Sequence, residues 1–526
     1  MNSLRTHIAR LRDERGFTIA YVMLFMLVGS LFAIGAWGAA TGDIKATKKD
    51  SNSKLAYAAA ESGLNYYLYK LNQNNGFWTD CAGGATLPNG EVNPVNDRWD
   101  GTGTDPRRFR AMPGNTGASY AIEPLPAAPP PAQCVVGAGA EASMLNPQGE
   151  LTVRSTGKVG TTKRTVVASM RRSAFLDYLY FTDKETVDPV VYTVKNPAKA
   201  AVNCDVYRRD GRPSSCDDIV FPTGDFIKGP LHTNDDILVC GSPTFGRNIN
   251  DNIEASDPAG YHASSGCSAN PNMVGNWQKG VATLQMPPTN AEIKDVALPG
   301  YTFKGITRIT LNGSSLTVTN AAAGYNNKVL PWPTNGVIYV ADNGGCSQPY
   351  DIVQDYDDPA GCADAYVKSS ASGYQQNLTI ASQRDIIVDG NISRNGNVVL
   401  GLIAESFVRV YHPVTPNPRA TQGSCTTPAS SPKNISIDAA ILALKHSFIV
   451  DNYYCGGTLG TLTVNGAIGQ HFRGPVGTIS GGSVATGYTK NYNYDDRLRR
   501  VNPPYFLDPV NSAWRVTRFN EQVPAT

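Results

Sequence analysis

From Phe17 to Ala40 the chain carries no charged residue, and the next one is Asp43. At ~1.5 Å per residue this run makes a helix about 36 Å long, enough to cross a hydrocarbon core of ~30 Å. Removable secretory signals have apolar cores of only roughly 7 to 15 residues followed by a cleavage site, so any processing here is expected before the apolar run. The helical pattern continues through Lys54 to Leu71, where Leu64, Leu68 and Leu71 recur at i, i+4 and i+7 and form one apolar stripe. Asn72 to Gly76 should end it.

The pattern then becomes one of strands. Residues 77–173 begin with a loop-rich part holding Trp78, Cys81, Trp99 and a proline cluster at 124–131. The runs Leu151 to Thr156 and Thr162 to Met170 follow, separated by Gly157-Lys158-Val159-Gly160, and predict a β-hairpin. From Ala174 onward short apolar runs alternate with Gly, Asn and Asp: Leu378–Ile380, Ile386–Val388, Val398–Ala404, Phe407–Tyr411, Ile435–Leu442, Phe448–Val450, Leu462–Val464. Each is too short for a helix and is bounded by turn residues. Asp389-Gly390 and Asn465-Gly466 suit the tight hairpins of an antiparallel sandwich. However, Val398 to Ala404 lacks strict alternation, as expected of strands covered on both faces or stacked in coils. A right-handed parallel β-helix is the preferred reading, with the aromatic, Pro-rich stretch from Tyr494 through Phe506 to Trp514 as a cap over its last rung.

Composition supports a β-rich exported protein. Charged residues make up 17% while Gly, Pro and Tyr number 51, 35 and 25, which favours short strands and turns over helices. The net charge of +2 gives no global case for nucleic-acid binding, and the arginine pairs 107–108, 171–172 and 499–500 read as solvated faces. Orientation is not decided by charge, because Arg5, Arg10, Arg12 and Arg15 before the span are matched by Lys45, Lys48, Lys49 and Lys54 after it. Cysteine decides it. All ten, Cys81, Cys134, Cys204, Cys216, Cys240, Cys267, Cys346, Cys362, Cys425 and Cys455, follow the span in even number, which places the N-terminus inside and the bulk outside. Nearest-neighbour pairing would join them in that order, two by two, although spacing alone does not settle connectivity. No pair has CxxC or Cys/His metal spacing, and no cofactor motif is present.

The junction Arg15-Gly16-Phe17-Thr18 before the apolar run resembles the class III signal of type IV prepilins. That resemblance implies a prepilin peptidase that cuts after Gly16 and methylates Phe17, leaving the helix on the mature protein. Ala56-Tyr57-Ala58-Ala59-Ala60-Glu61-Ser62-Gly63-Leu64 is similar to the N-terminal region of PilX-type minor pilins, and the likeness covers roughly the first 75 residues. One departure matters. Most pilins carry Glu at the fifth mature position, where its carboxylate is thought to neutralise a neighbouring subunit's N-terminal amine in an apolar core; here that position is Tyr21. The resemblance therefore implies a subunit suited to a filament tip, similar to the tip pseudopilin of type II secretion systems. The stretch from Ala439 to Gly477 also resembles β-helical ectodomains of uncharacterised bacterial surface proteins with pilin-type N-termini.

Candidate chemistry in the β-helix is sparse. Arg384, Asp385, Asp389, Glu405 and Asp438 are the acids and base that a carbohydrate-active β-helix could use, and glycoside hydrolysis needs two carboxylates roughly 5 to 10 Å apart. Asp389 and Glu405 read more simply as corner and strand-end residues, and a shared architecture does not imply activity. His232 reads as a rung residue, and Asp355-Tyr356-Asp357-Asp358 lacks the spacing of a calcium loop.

The expected organisation is a prepilin leader (1–16), a transmembrane and amphipathic pilin-type helix (17–75), a small pilin-like β module (76–173) and a β-helix-like ectodomain with its cap (174–526). The expected function is a non-enzymatic structural or adhesive minor or tip component of a type IV pilus or related filament. Its partners would be the inner-membrane prepilin peptidase, other pilin subunits, membrane lipid and a surface or carbohydrate ligand. A stand-alone anchored adhesin and an anchored carbohydrate-active enzyme are the competing readings.

Overall fold

The computed structural model describes residues 17–74, 77–79, 109–114, 117–125, 145, 150–172, 174–191, 202–344, 346, 361–415, 425–480, 483–499, 501–510 and 512–525. The chain divides into two compact units, one holding the long helix, Glu150–Arg171 and Trp514–Thr526, the other Arg172–Ala513.

In the first unit a single helix runs Phe17–Gln73 and ends where the asparagines begin. Its stretch Ile19–Trp37 has a mean hydropathy of 2.3, has no buried residue, and is long and apolar enough to cross a membrane. The later part packs on an antiparallel sheet ordered Arg110–Ala111, Ala118–Leu125, Leu151–Val159, Thr162–Arg172 and, at the edge, Trp514–Gln522. This is a pilin-like arrangement of helix on sheet. The hairpin is present with a tighter turn than expected, because Val159 pairs with Thr162 and only Gly160 and Thr161 are left in the loop. Gly160 takes φ +59, the left-handed value such a loop requires. Gly157, read from sequence as part of the turn, lies inside the strand opposite Arg164.

The second unit is a stack of parallel coils, consistent with a β-helix. Its main sheet runs, in spatial order, Thr302–Lys304, Val337–Ala341, Leu378–Ser382, Leu400–Ala404, Ala440–Ala443, Thr458–Arg473, Tyr180–Val187, Leu231–Thr233, Asn252–Ala255 and Asn276–Lys279. All these neighbours pair in parallel. The order is permuted relative to the chain. The polypeptide enters the stack in its middle at Tyr180, winds to one end at Lys279, returns to the opposite end at Thr302, and winds back until Ile468 pairs with Tyr180.

Register explains the stability of the stack. Ile338, Ile380, Leu402, Ile441, Ile468, Tyr180, Leu231 and Ile253 are successive partners, and all are buried in one core. Burying each such side chain contributes roughly 1.5 to 3 kcal/mol against the entropy of ordering the coil. The alternate positions Tyr339, Ala381, Ile403, Leu442 and Phe181 point the other way, yet they are buried too, beneath Leu284, Met286 and Ile293 of the returning segment. Both faces of the sheet are therefore covered, which is why Leu400–Ala404 is buried at every position and lacks alternation. Asn465-Gly466 is not a hairpin turn; it lies within Thr458–Arg473, itself paired in parallel.

The expected cap is corrected in two respects. Phe506 packs beside Val399, and the Thr379 hydroxyl donates to the Pro504 carbonyl, so this stretch lies along the flank of the middle coils rather than over an end. Trp514 belongs to the first unit, where it meets the Trp78 ring edge-on at 6.5 Å. An apolar residue near a chain end finds whichever core it can reach, and the returning strand carries this one to the helix-and-sheet unit.

Candidate functional site

The helix presents a face of small residues to its sheet. Ala56, Ala59 and Ala60 are fully buried, followed by Leu64, Tyr67 and Leu71. A Cβ on Gly157 would lie 1.8 Å from the Ala56 carbonyl oxygen, and one on Gly63 would lie 2.3 Å from the Ser155 hydroxyl. The Ala-rich step and Gly157 are thus two halves of one close approach between backbone and backbone. At the rim of this contact the Arg164 guanidinium sits 5.7 Å from the Tyr57 ring centroid and pairs with Glu521 of the C-terminal strand. Phe17 opens the helix and Tyr21, 53% exposed, lies on its apolar part; Gly16 lies outside the described residues.

Among the described residues four disulfides are present: Cys204–Cys216, Cys240–Cys267, Cys346–Cys362 and Cys425–Cys455. Cys81 and Cys134 lie outside the described residues, as do Trp99 and Asp355 to Asp358.

The acids singled out from sequence are each engaged with their own neighbours. Asp385 lies 2.8 Å from the fully buried Arg409, which also meets Asp451 at 3.2 Å, and Asp385 accepts the Phe407 amide. Arg384 pairs with Asp342 at 2.9 Å, Asp389 with Lys368 at 3.3 Å, and Glu405 with Lys445 at 2.5 Å. Asp438 accepts from Asn465 Nδ2 at 2.8 Å and from the Arg394 amide. These are coil-to-coil ties. Arg171, expected on a solvated face, is buried.

Among the described residues four histidines lie against carboxylates, a feature missed from sequence. His232 Nδ1 is 2.9 Å from Glu254, His262 meets Asp236, His446 Nδ1 is 3.0 Å from Asp188, and His471 Nδ1 is 3.1 Å from Asp183. His232 and Glu254 are register partners on successive coils, so recognising Leu231-His232-Thr233 and Ile253-Glu254-Ala255 as stacked repeats would have found that pair. Burial depresses the His446 pKa, but the charge and hydrogen bond of Asp188 outweigh it and the net shift is upward. Burial raises Glu185 to about 7, although Arg473 lies 3.3 Å away. Burial, and then the adjacent Asp235 charge, raise Asp236 to about 7.

The chain order of the stack breaks at the seam where Thr458–Arg473 meets Tyr180–Val187. On the main sheet the seam is closed by parallel pairing. On a second face Ser483–Tyr494 closes it, pairing with Thr458–Arg473 and bridging through Asn493 to Lys228. On the third face, among the described residues, the sheet ending at Phe448–Val450 is not joined to the sheet beginning at Phe221–Pro222. A cleft of about 670 Å³ occupies this gap. Arg473 forms its floor, donating to the Ile219 carbonyl and lying 3.8 Å from the Phe221 ring centroid. Lys490 is held by Asp225 at 2.7 Å, and Lys228 donates to Asn491 Oδ1 at 2.8 Å.

No family model and no curated protein matches the chain. Among solved structures it is similar to the crystal structure of the competence-associated pilin ComZ from Thermus thermophilus, at 12% identity, over 90% of this chain and 98% of that chain, with a TM-score of 0.27. So loose a superposition establishes no equivalence of fold or role.

Proposed function

We propose that the protein is a non-enzymatic minor or tip subunit of a type IV pilus or related filament, anchored by its N-terminal helix and carrying the coiled β unit as an exported head. The observation that carries this reading is the single helix Phe17–Gln73, exposed and apolar over Ile19–Trp37 and docked by Ala56, Ala59 and Ala60 onto an antiparallel sheet. A helix built this way serves as a membrane span before assembly and as a filament core after it. The reading assigns Gly16–Phe17 to cleavage and methylation by a prepilin peptidase, and gives Tyr21 the place where a stacking subunit would carry a charge-neutralising carboxylate. The ion-pair commitments of Asp385, Asp389 and Glu405 support a structural rather than hydrolytic head.

Mass spectrometry of protein recovered from cells with an active prepilin peptidase tests the processing: a methylated Phe17 N-terminus is expected, and an intact leader overturns it. Immunogold labelling of sheared filaments tests the position. Label at one end supports a tip subunit, whereas label along the shaft, or none on filaments, rejects it.

A further inference from the structure

We propose that the seam cleft is a binding site for a neutral oligosaccharide. The inference deepens the adhesive side of the filament reading and rests on it only for its biological setting. The cavity exists because, among the described residues, the two runs of coils are hydrogen-bonded on two faces and not on the third, so it is built into the fold rather than left by one small side chain. Its volume of about 670 Å³ falls within the ~300 to 1,000 Å³ usual for small-ligand sites. Its mouth is flanked by two large apolar side chains from different segments, Phe226 at 42% exposure and Ile479 at 54%. Apolar side chains beside charged and amide groups are what a sugar ring, with its apolar face and polar edge, can use.

Charge and backbone narrow the occupant. The lining carries three cations, Lys228, Arg473 and Lys490, against three carboxylates, Asp217, Asp218 and Asp225, with Lys490 paired directly to Asp225, so an anionic ligand meets little net attraction. An acyl chain would strip water from these charged groups and from Gln470 without replacing its hydrogen bonds. An extended peptide adding to the edge Phe448–Val450 would find the Phe448 amide already donating to Gln470 Oε1 and the Val450 amide to the Pro475 carbonyl. A neutral, polyhydroxylated ligand meets all three conditions. The Cys204–Cys216 bond fixes the chain immediately before the wall that begins at Asp217, keeping the cleft preformed.

The test is calorimetric titration of the full chain in a sugar-free detergent with maltotriose, cellotriose, chitotriose, trigalacturonate and a hexapeptide. At least one neutral trisaccharide should bind, and Phe226→Ala and Ile479→Asp should each weaken it about tenfold, as expected for loss of an apolar anchor. Ile249→Asp, which alters an apolar side chain 68% exposed and outside the cleft lining, should leave binding unchanged. No binding by any neutral probe, equal binding by the two rim variants, or preference for trigalacturonate or peptide would overturn the proposal. Because the assay uses unassembled protein, its failure is separable from failure of the filament reading, which the labelling experiment decides.

Discussion

Asn72 and Trp514, separated by 442 residues, hold each other by two hydrogen bonds: Asn72 Nδ2 donates to the Trp514 carbonyl at 3.2 Å, and the Trp514 amide donates to Asn72 Oδ1 at 2.6 Å. The last turn of the helix is thereby fastened to the strand that closes its sheet. The coiled β unit is, in chain order, an insertion between two strands of the helix-bearing unit.

Asn72→Ala should therefore destabilise the helix-and-sheet unit by about 1 to 3 kcal/mol, the loss expected for two hydrogen bonds at a partly buried site. Proteolysis of the full chain in detergent would show it as faster cleavage near the C-terminus. Unchanged protection would mean that the strand is held by its ladder to Thr162–Arg172 alone.

Gly157→Ala places a methyl group against the Ala56 carbonyl. Backbone cannot yield as a flexible side chain can, so we expect a loss of about 3 kcal/mol or a displaced helix. Gly160→Asn, at an open left-handed position, should be tolerated. Thermal denaturation of both variants checks the contrast, which disappears if Gly157 is only a turn residue.

Reduction should loosen the coiled unit stepwise. The Cys425–Cys455 and Cys240–Cys267 bonds close loops of sequence separation 30 and 27, against 16 and 12 for the other two. Each should contribute about 2 to 4 kcal/mol, more for the longer loops. Denaturant titrations of the paired Cys→Ser variants measure this, and equal losses at all four sites would contradict the loop-length ordering.

Stability of the coiled unit should fall as pH rises from about 5 to 8. Glu185 and Asp236 are raised to about 7, and His446 is raised above its ordinary value of 6.5, so the folded state binds more protons than the unfolded chain in this window. For His446 the stabilisation is complete below about 6.5 and is lost as pH passes its folded value. For the two acids, the penalty of ionising them in the fold grows between their unfolded values and about 7. Urea denaturation at stepped pH should show the decline, and Glu185→Gln should flatten it. A slope unchanged by that substitution would remove Glu185 from the account.

Much of this protein is legible in local pattern. An uncharged run of membrane length specifies its helix, Gly160 beside β-prone runs marks a hairpin, and short apolar runs between Gly, Asn and Asp specify coils, because each depends on neighbours a few residues away. Even Val398 to Ala404 announces, by failing to alternate, that both its faces are covered. The order in which coils stack was decided only by tertiary structure. Parallel strands need no tight turn, so no local signal says that Gln470 reaches Tyr180 across 290 residues or that the return segment lies over Ile403 and Leu442. The cleft follows from that permuted closure, the His–carboxylate pairs from register between coils, and the place of Trp514 from a strand that returns to the first sheet. Each arises from a contact between segments distant in the chain, where hydrogen-bond register and close packing, rather than local pattern, select the partner.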